Sequence, residues 1–419
     1  MPFVTRRGQL IAIYSVVTLM IGLVIGDIFI FFIGILGIAI LIHQYHYISR
    51  ISNEVDAIYV ERVKPVVYTI EGSDFDISFR LVNNSGVAFP RVVLRDIISN
   101  RVYVDKHSVE VYDVFPGESI FVSYCGYAGV GHIFWNEVEV LVYDSLSLFV
   151  EQRIFNIPMN IFSYPRPISD IYPYRHIPLG MAKILSVHAR SGLEFLELRE
   201  YEYGDDFRMI HWPSTARYGD LVVKVTAIES KNDISVVLDV SKEMWVGTPT
   251  ESPIDHASRI LRWLGEIVGR FHGTLNMWIF DGFQYRFYRY ISSEASREVD
   301  TLLSRLSPGR FRSQIEFIKL IRRASLEARG HIFLILTGPG IEWEDFIFSI
   351  DEASTINHPI TLLAVSLPTG SHMDEKIIYL YEASTLDELT KGNTLRLKII
   401  HGSTKDIMAK VDEVFSIWL

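Results

Sequence analysis

Two apolar segments near the amino terminus constrain this chain more than any other feature. Residues Leu10–Gly26 and Ile28–Ile42 are apolar, and only Asp27 separates them. A membrane-spanning helix needs about 20 residues, so one helix cannot absorb the whole stretch. The pattern predicts a transmembrane hairpin of two short helices over residues 1–50, with the Asp27 carboxylate at the far interface. A secretory signal peptide is the alternative, but a second apolar segment follows at once.

Positive charges at both outer ends of this hairpin predict its orientation. Arg6 and Arg7 precede the first apolar segment, and Arg50 and Arg62 follow the second. Membrane-flanking segments rich in lysine and arginine stay in the cytoplasm. We therefore expect a multi-pass protein of the cell membrane, with both termini and the soluble domains in the cytoplasm.

Charge and cysteine content exclude several classes of function. The 419 residues carry a formal net charge of −10, whereas broad nucleic-acid binding needs a basic face. The single cysteine, Cys125, excludes an intrachain disulfide and a multi-cysteine zinc site. Cys125 lies in an apolar, strand-like context, which predicts a buried and inert thiol.

Alternating apolar and polar residues predict a β-sandwich over residues 53–160. Turn residues separate short strands, and helical periodicity is missing between them, which is typical of an immunoglobulin-like sandwich. The predicted strands are Asp76–Val82, Arg101–Asp105, Ser108–Tyr112, Ser119–Tyr124 and Glu137–Tyr143. The prolines of the segment Pro158–His176 predict an extended linker after the sandwich.

Strand and helix patterns alternate over residues 232–419, which predicts a doubly wound α/β domain. Residues 161–231 precede this domain as a linker and signature segment. Helices are predicted near Ile254, Glu294–Leu306, Gln314–Arg329 and Ser403. The predicted strands are Ile234–Asp239, Leu275–Phe280, Gln284–Tyr290, Ile332–Leu336 and Ile360–Val365.

The segment Leu198–Lys224 concentrates charged and aromatic residues in one short run. Guanidinium groups bind carboxylates in a bidentate manner and stack on aromatic faces, so such interleaving suits a bracing network. Gly204 and Gly219 are each followed by aspartate and predict two turns. The end of the run, Leu221–Val223, reads as a strand.

This run closely resembles the signature of the prokaryotic domain-of-unknown-function family fifty-eight, and an archaeal source is expected. The matching residues are Arg199, Tyr201, Gly204, Asp205, Arg208, His211, Trp212, Ala216, Arg217, Gly219, Leu221, Val223 and Lys224. The resemblance implies a membrane hairpin, a β-sandwich and a von Willebrand factor A-like domain. It also implies association with a MoxR-type AAA+ ATPase, without supplying a reaction.

A von Willebrand A-like domain carries Asp-x-Ser-x-Ser after its first strand, as part of a metal-ion-dependent adhesion site. Here Asp239 and Ser241 match, Glu243 replaces the second serine, and Ser313 falls near the family's threonine. The resemblance thus implies an incomplete Mg²⁺ site, since hard oxygen ligands suit Mg²⁺. The strand that usually ends with aspartate ends with Leu336-Thr337 instead. The alternative is a strand-end aspartate that caps local backbone amides.

Two interpretations of the signature run remain open at this stage. In the favoured one, Arg199, Asp205, Arg208 and Arg217 are buried and mutually paired, with His211, Trp212 and Lys224 in the same interaction module. In the other, His211 is a general base oriented by Asp205 or Asp206. No nucleophile elbow, Walker loop or HExxH motif accompanies it. Trp212 is expected to be a buried anchor.

The leading hypothesis is therefore a non-enzymatic, membrane-anchored scaffold with no small-molecule substrate. It would present its von Willebrand A-like domain to a MoxR-type AAA+ ATPase or that ATPase's client, in a chaperone-like assembly or a metal-insertion system. The runner-up is a membrane-bound hydrolase centred on His211 and Asp205 or Asp206. A third hypothesis is a structural envelope protein with reversed topology, in which Asn83 of Asn83-Asn84-Ser85 is open to modification.

Overall fold

A computed structural model describes most of the chain. The described residues are 2–168, 195–201, 207, 210–226, 233–270, 273–291, 295–328, 332–338, 361–366 and 397–402. They divide into two compact units. The first comprises residues 1–128 and 132–163, and the second comprises residues 129–131 and 164–419.

The first unit begins with strand β1 (Phe3–Val4) and a helical hairpin, α1 (Arg6–Ile25) and α2 (Ile28–Glu54). Gly26 adopts the left-handed conformation at the turn, and the Asp27 carboxylate accepts hydrogen bonds from the first amides of α2. A Cβ atom on Gly34 would lie 2.6 Å from the backbone nitrogen of Leu19. Glycine therefore allows the two helices to pack closely.

The outward surface of this hairpin is apolar. Val24 and Phe29 are 82% and 79% exposed, whereas a core helix of a soluble domain would bury such side chains. Both helices are long and apolar enough to span a membrane.

The end of α2 packs into the core of the β-sheets that follow. Ile48 and Ile51 on α2, and Val55 in the 3₁₀ turn Val55–Ala57, are almost completely buried in that core. The helix therefore continues beyond residue 50, where the sequence predicted the end of the hairpin segment.

Two β-sheets enclose this core. One has the strand order β1-β10-β9-β5-β7, with β3 also pairing with β10, and the other has the order β2-β4-β8-β6. Alternate residues point inwards, as Ile77, Phe79 and Leu81 do on β4. The strands are β2 (Ile58–Arg62), β3 (Val66–Ile70), β4 (Phe75–Asn83), β5 (Phe89–Asp96), β6 (Val102–Val104), β7 (Ser108–Val114), β8 (Ser119–Ala128), β9 (Gly131–Tyr143) and β10 (Phe149–Tyr164).

Three sequence-based expectations for this unit are wrong. Pro158 lies at an exposed position inside β10, so the predicted linker does not begin there. Cys125 is exposed because it falls on the outward-facing side of β8. A hydrogen bond from its thiol to Asp76 raises the pKa of Cys125, which favours the protonated and less nucleophilic form.

The third concerns Asn83, which is completely buried. Its side-chain nitrogen donates to the carbonyls of Val87 and Val114, and its oxygen accepts from Ser85. The folded chain therefore does not offer this amide for modification.

The second unit contains a two-stranded sheet and a six-stranded sheet. The small sheet pairs β11 (Phe195–Glu200) with β12 (Val222–Thr226), and helix α3 (Trp212–Tyr218) lies between them in sequence. The large sheet has the order β15-β14-β13-β16-β17-β18, in which only β15 runs antiparallel to its neighbour. Its strands are β13 (Asp233–Asp239), β14 (Thr274–Phe280), β15 (Tyr285–Ile291), β16 (Ile332–Thr337), β17 (Thr361–Ser366) and β18 (Leu397–Gly402).

Helices cover both faces of the central strands. Val236 and Leu238 of β13 pack in one cluster with α4 (Pro253–Arg270) and α5 (Ala295–Ser304). Val237, between them, packs in a different cluster with α6 (Gln314–Glu327). This period of two explains the uninterrupted apolar run of β13, since both of its faces are buried. The helix predicted at Ser403 lies outside the described residues.

Candidate functional site

The carboxyl ends of β13 and β16 meet at the centre of the large sheet. From β13 the chain passes through α4 to β14 on one side, and it later returns to β16 on the other side. Open parallel sheets bind ligands outside the strand ends at such a reversal. Asp239 ends β13, and Thr337 follows the residue that pairs with Leu238. The predicted metal motif therefore lies at the expected binding position of this fold.

Asp239 at this position is completely buried, and hydrogen-bond donors surround its carboxylate. Nε and Nη2 of Arg312 both lie 2.6 Å from its Oδ2. The Thr337 hydroxyl donates to the same oxygen at 2.9 Å, and the Ser241 amide donates to Oδ1 at 2.9 Å. Both side chains of the Asp239–Arg312 pair are almost fully buried, at 0% and 2% exposure. A guanidinium group thus supplies the positive charge that a metal ion would otherwise supply.

Backbone hydrogen bonds of the loop before α6 place Arg312 there. The amide of Gly309 donates to the Val240 carbonyl at 3.0 Å, and that of Arg310 donates to Asp281 at 2.6 Å. The Ser313 amide donates to Gly282 at 2.7 Å. A Cβ atom on Gly309 would lie 2.3 Å from the Asp281 carbonyl oxygen, so only glycine allows this close approach.

Of the other predicted metal ligands, only Glu243 makes side-chain hydrogen bonds to this loop among the described residues. Both carboxylate oxygens of Glu243 accept from the Arg312 amide, at 3.1 and 3.3 Å. Ser313 begins α6 without a capping hydrogen bond from its side chain. The Ser241 hydroxyl is buried without a hydrogen-bond partner among the described residues.

These four residues do not fit a Mg²⁺ ion while the Arg312 guanidinium contacts Asp239, because this buried positive charge repels a second cation and both Asp239 oxygens already accept hydrogen bonds. Across the part of the chain that the structure describes, no cluster of three His, Cys, Asp or Glu side chains could hold a metal. The prediction of Mg²⁺ at Asp239, Ser241, Glu243 and Ser313 is therefore corrected to an internal ion pair.

The signature run forms a hairpin in which His211 begins α3. Its Nδ1 accepts a hydrogen bond from the Ser214 amide at 3.3 Å and lies 2.8 Å from the Ser214 hydroxyl. Its own amide donates to the Val222 carbonyl at 2.8 Å. The ring nitrogen that faces the helix is thus engaged as an N-cap. Gly219 ends α3 in the left-handed conformation.

The exposed side of this hairpin carries aromatic and cationic residues. Trp212 is 64% exposed and Phe207 is 68% exposed, and Arg217 is exposed near the end of α3. The expectation that Trp212 and Arg217 are buried is therefore wrong. Both lie on a short surface helix that leaves their side chains in solvent.

The remaining signature residues are only partly described. Arg199 pairs with Val223 and Lys224 pairs with Leu198 through the backbone of β11 and β12, and Tyr201 contacts the Phe207 ring. Gly204, Asp205, Asp206 and Arg208 lie outside the described residues. The predicted pairing of Arg199, Asp205 and Arg208 stays a prediction, as does the catalytic interpretation of Asp205 and Asp206.

Residues 197–266 match the family model described as protein of unknown function DUF58. The chain carries a DUF58 domain. The matched region covers most of β11, then α3, β12 and β13, and most of α4, so it contains both the His211 hairpin and Asp239. No curated protein matches the chain.

Solved structures show only weak similarity. A protein of unknown function from Porphyromonas gingivalis W83 is 7% identical with a TM-score of 0.18, and the match covers 26% of this chain and 48% of that one. A non-cellulosomal cohesin from the hyperthermophilic archaeon Archaeoglobus fulgidus is 11% identical with a TM-score of 0.18, covering 28% and 99%. The chain thus spans about half the length of the Porphyromonas protein.

Sequence reasoning missed Arg312. A signal was present: Thr337 in place of aspartate and Glu243 in place of serine leave a motif that lacks its usual metal ligands. A buried carboxylate without a metal needs another cation. Arg312 directly precedes the predicted ligand Ser313 in sequence, so it was a candidate for that cation.

Proposed function

We propose that this protein is a membrane-anchored interaction protein. Its DUF58 domain and α/β region, which we interpret as von Willebrand A-like, would bind a MoxR-type AAA+ ATPase or its client. The assembly would act in a chaperone-like or metal-insertion system of the cytoplasm. The proposal assigns the protein no enzymatic activity of its own.

The exposed face of the signature hairpin carries this proposal. Phe207 and Trp212 are among the large apolar side chains that the second unit leaves exposed, and they share this hairpin with the exposed Arg217. Tryptophan and arginine are the residues most enriched at energetically important positions of protein interfaces. A partner that covered Trp212 would gain the burial of its large apolar surface. The resemblance of the run to its family suggests the ATPase as that partner.

The geometry of His211 disfavours the hydrolase alternative. A general base needs a ring nitrogen that is free to accept the substrate's proton. Nδ1 of His211 instead accepts from the Ser214 amide and contacts the Ser214 hydroxyl. When Nδ1 is the acceptor, Nε2 of a neutral imidazole carries the proton, so neither ring nitrogen has a free lone pair. Both contacts are local, within the first turn of α3, and they serve to begin that helix.

The anchor rests on the hairpin of the first unit. Strand β1, before α1, pairs with Phe149 and Val150 of β10, and the end of α2 is buried in the same core. Both outer ends of the hairpin therefore lie on the side of the sheets, as a two-helix anchor requires. With arginines at those ends, this side is the cytoplasmic one in our proposal.

A capture experiment with the full-length protein in detergent tests the docking face. Trp212→Ala should reduce capture of the purified MoxR-type ATPase by at least about tenfold, because loss of a tryptophan at an energetically dominant interface position costs about 2 kcal/mol or more. The melting temperature should stay close to that of the wild type, since Trp212 contributes little to the core. Phe121→Ala, with a side chain that is 68% exposed in the first unit, is the matched control and should not affect capture.

Two substitutions of His211 separate scaffold from enzyme. Asparagine is a good N-cap but cannot act as a histidine base, so His211→Asn should keep both stability and ATPase capture. His211→Ala should lower stability by about 1 kcal/mol. If the His211→Asn protein folds and captures the ATPase but the substitution abolishes function in cells, the result would contradict the scaffold proposal and support a catalytic role for His211.

A further inference from the structure

A cavity of about 890 Å³ lies between β15 and α5, beside the carboxyl end of β13, and the second unit supplies all of its lining. Val240, Ile279, Leu302 and Leu306 form its apolar part. The volume is within the range of natural ligand sites. The cavity is distinct from both the Asp239–Arg312 pair and the signature hairpin.

Four arginines line this cavity: Arg286 on β15, Arg297 on α5, Arg305 just after α5, and Arg310 in the following loop. All four are exposed, and none pairs with a carboxylate within the described part of the chain. Asp281 and Glu298 are the two acidic residues of the lining. The cavity is therefore positive on a chain whose net charge is −10.

The two acidic residues offset only part of the charge of the four arginines. The Asp281 carboxylate accepts from the amides of Phe283 and Gln284, at 3.0 and 2.7 Å, and holds the turn before β15. Tyr290 also lines the cavity, and burial, with Glu298 and Tyr288 as further causes, raises its pKa to about 12. Tyr290 therefore remains a neutral hydrogen-bond donor at physiological pH.

The spacing of the arginines determines what fits. Arg297 lies near the start of α5 and Arg305 directly after its end, so the helical rise separates their Cα atoms by about 12 Å. A single phosphate or carboxylate would have to draw both long side chains together and order them, whereas two carboxylates at a similar separation can each bind one guanidinium group. In an extended peptide, side chains four residues apart are separated by about 13 Å. We infer that this cavity binds an extended acidic peptide of a partner protein, with two of its carboxylates on Arg297 and Arg305.

This inference goes beyond the proposed ATPase docking and does not depend on it. The body of the peptide would pack on Leu302 and Leu306. Guanidinium groups favour bidentate contacts with carboxylates, and Arg286 and Arg310 add positive potential at the rim. Binding should therefore weaken as salt concentration rises.

Fluorescence anisotropy with the full-length protein in detergent tests the site without any ATPase. The probe is a labelled Ser/Thr/Val decapeptide with two glutamates four residues apart, and an otherwise identical peptide carries them two residues apart, about 7 Å. The first peptide should bind at least about fivefold more tightly than the second, because the separation of its carboxylates matches that of the two arginine Cα atoms and fewer side-chain conformations are lost on binding. Arg297→Gln/Arg305→Gln should weaken its binding by about tenfold or more.

Lys319→Gln/Arg323→Gln is the matched control. It removes the same charge from exposed positions on α6 and should change affinity less than about twofold. Unchanged melting temperatures establish that both double variants fold. Absence of wild-type binding at about 1 mM peptide would overturn the inference, as would equal losses in both variants. Equal affinity for the two glutamate spacings, with competition by inorganic phosphate, would assign the cavity to small anions instead.

Discussion

Arg62 and Asp96 form a buried, bidentate ion pair between the two sheets of the first unit. The two N···O distances are 2.9 and 2.7 Å, and both side chains are 1% exposed. Trp135 and Tyr124 donate to the same carboxylate, and Nε of Arg62 donates to the Ile157 carbonyl. Because each charge has several partners, its desolvation is compensated.

Asp96→Ala should lower the free energy of unfolding by about 3–5 kcal/mol, because it leaves the Arg62 guanidinium buried without a counter-charge. Chemical denaturation measures this loss. The matched control is Arg80→Ala, which breaks an exposed pair with Glu61 on the neighbouring strands β4 and β2. That pair should contribute no more than about 1 kcal/mol. A loss below 1 kcal/mol for Asp96→Ala would contradict the prediction.

A second residue-scale prediction concerns pH. Burial raises the pKa of Asp300 on α5 to about 6 from an ordinary value of 3.8, with Arg262 lowering it and Glu266 raising it. A raised acid pKa means that the folded state favours the protonated form, so ionisation reduces stability as pH rises between these two values. Asp300→Asn should match the wild-type melting temperature near about pH 4 and exceed it above about pH 6. A melting-temperature difference that is constant from pH 4 to 7 would contradict this assignment.

At the scale of elements, the loop between α5 and α6 joins the ends of three strands. Its amides bind Val240 after β13 and Asp281 after β14, and its Arg312 side chain binds Asp239 beside Thr337 of β16. The loop thus occupies the edge of the sheet at which a ligand would be expected to bind. Asp239 and Glu243, which were predicted as metal ligands, are instead hydrogen-bonded to this loop.

Removal of the guanidinium should restore a response to metal. Arg312→Ser frees Asp239, with the hydroxyls of Ser241 and Thr337 as further oxygen ligands. The variant should be less stable than the wild type, and Mg²⁺ at ten times its dissociation constant should return about 1.4 kcal/mol.

Melting temperatures with and without Mg²⁺ measure the response. Adding Asp239→Asn to the Arg312→Ser variant should abolish it. A wild-type protein that responds as strongly as Arg312→Ser would show that the ion pair does not occupy the site.

The strands and helices of the second unit were largely predictable from sequence. Of the buried ion pair at the site, Asp239 was predictable and Arg312 was not. The predicted strand Ile234–Asp239 nearly coincides with β13 because a strand buried on both faces must be an unbroken apolar run. Asp239 follows from its position at the end of that strand. Arg312, 73 residues away, depends on a loop path fixed by backbone hydrogen bonds, which leave no periodic signal.

Local signals failed where tertiary context overrode them. Pro158 predicted a linker, but β10 continues through it because the residue lies at an exposed strand position. Burial of Trp212 was expected from its residue type alone, but the short helix α3 leaves its side chain exposed to solvent. For Arg62 and Asp96, 34 positions apart on different strands, no sequence pattern indicates the contact.

At the scale of the whole molecule, the course of α2 links the anchor to the soluble part of the first unit. Its 27 residues correspond to about 40 Å, which exceeds the roughly 30 Å hydrocarbon thickness of a bilayer. The excess corresponds to the last turns of α2, where Ile48 and Ile51 are buried in the sheet core. In the proposed anchor, the sheets therefore stand directly at the membrane surface, on the side where α2 ends.

Protease protection tests whether the sheets lie on the cytoplasmic or the outer side of the membrane. With Arg6, Arg7 and Arg50 flanking the hairpin, protease added to intact cells or right-side-out vesicles should leave all residues beyond 53 undigested. Disrupted vesicles should lose them, and an epitope placed before β1 should behave in the same way, because β1 pairs with β10. The envelope hypothesis requires the opposite pattern, with digestion in intact cells. Protection of the carboxyl-terminal part together with digestion of the amino-terminal epitope would contradict the hairpin itself, since a single crossing is the arrangement that separates the two ends.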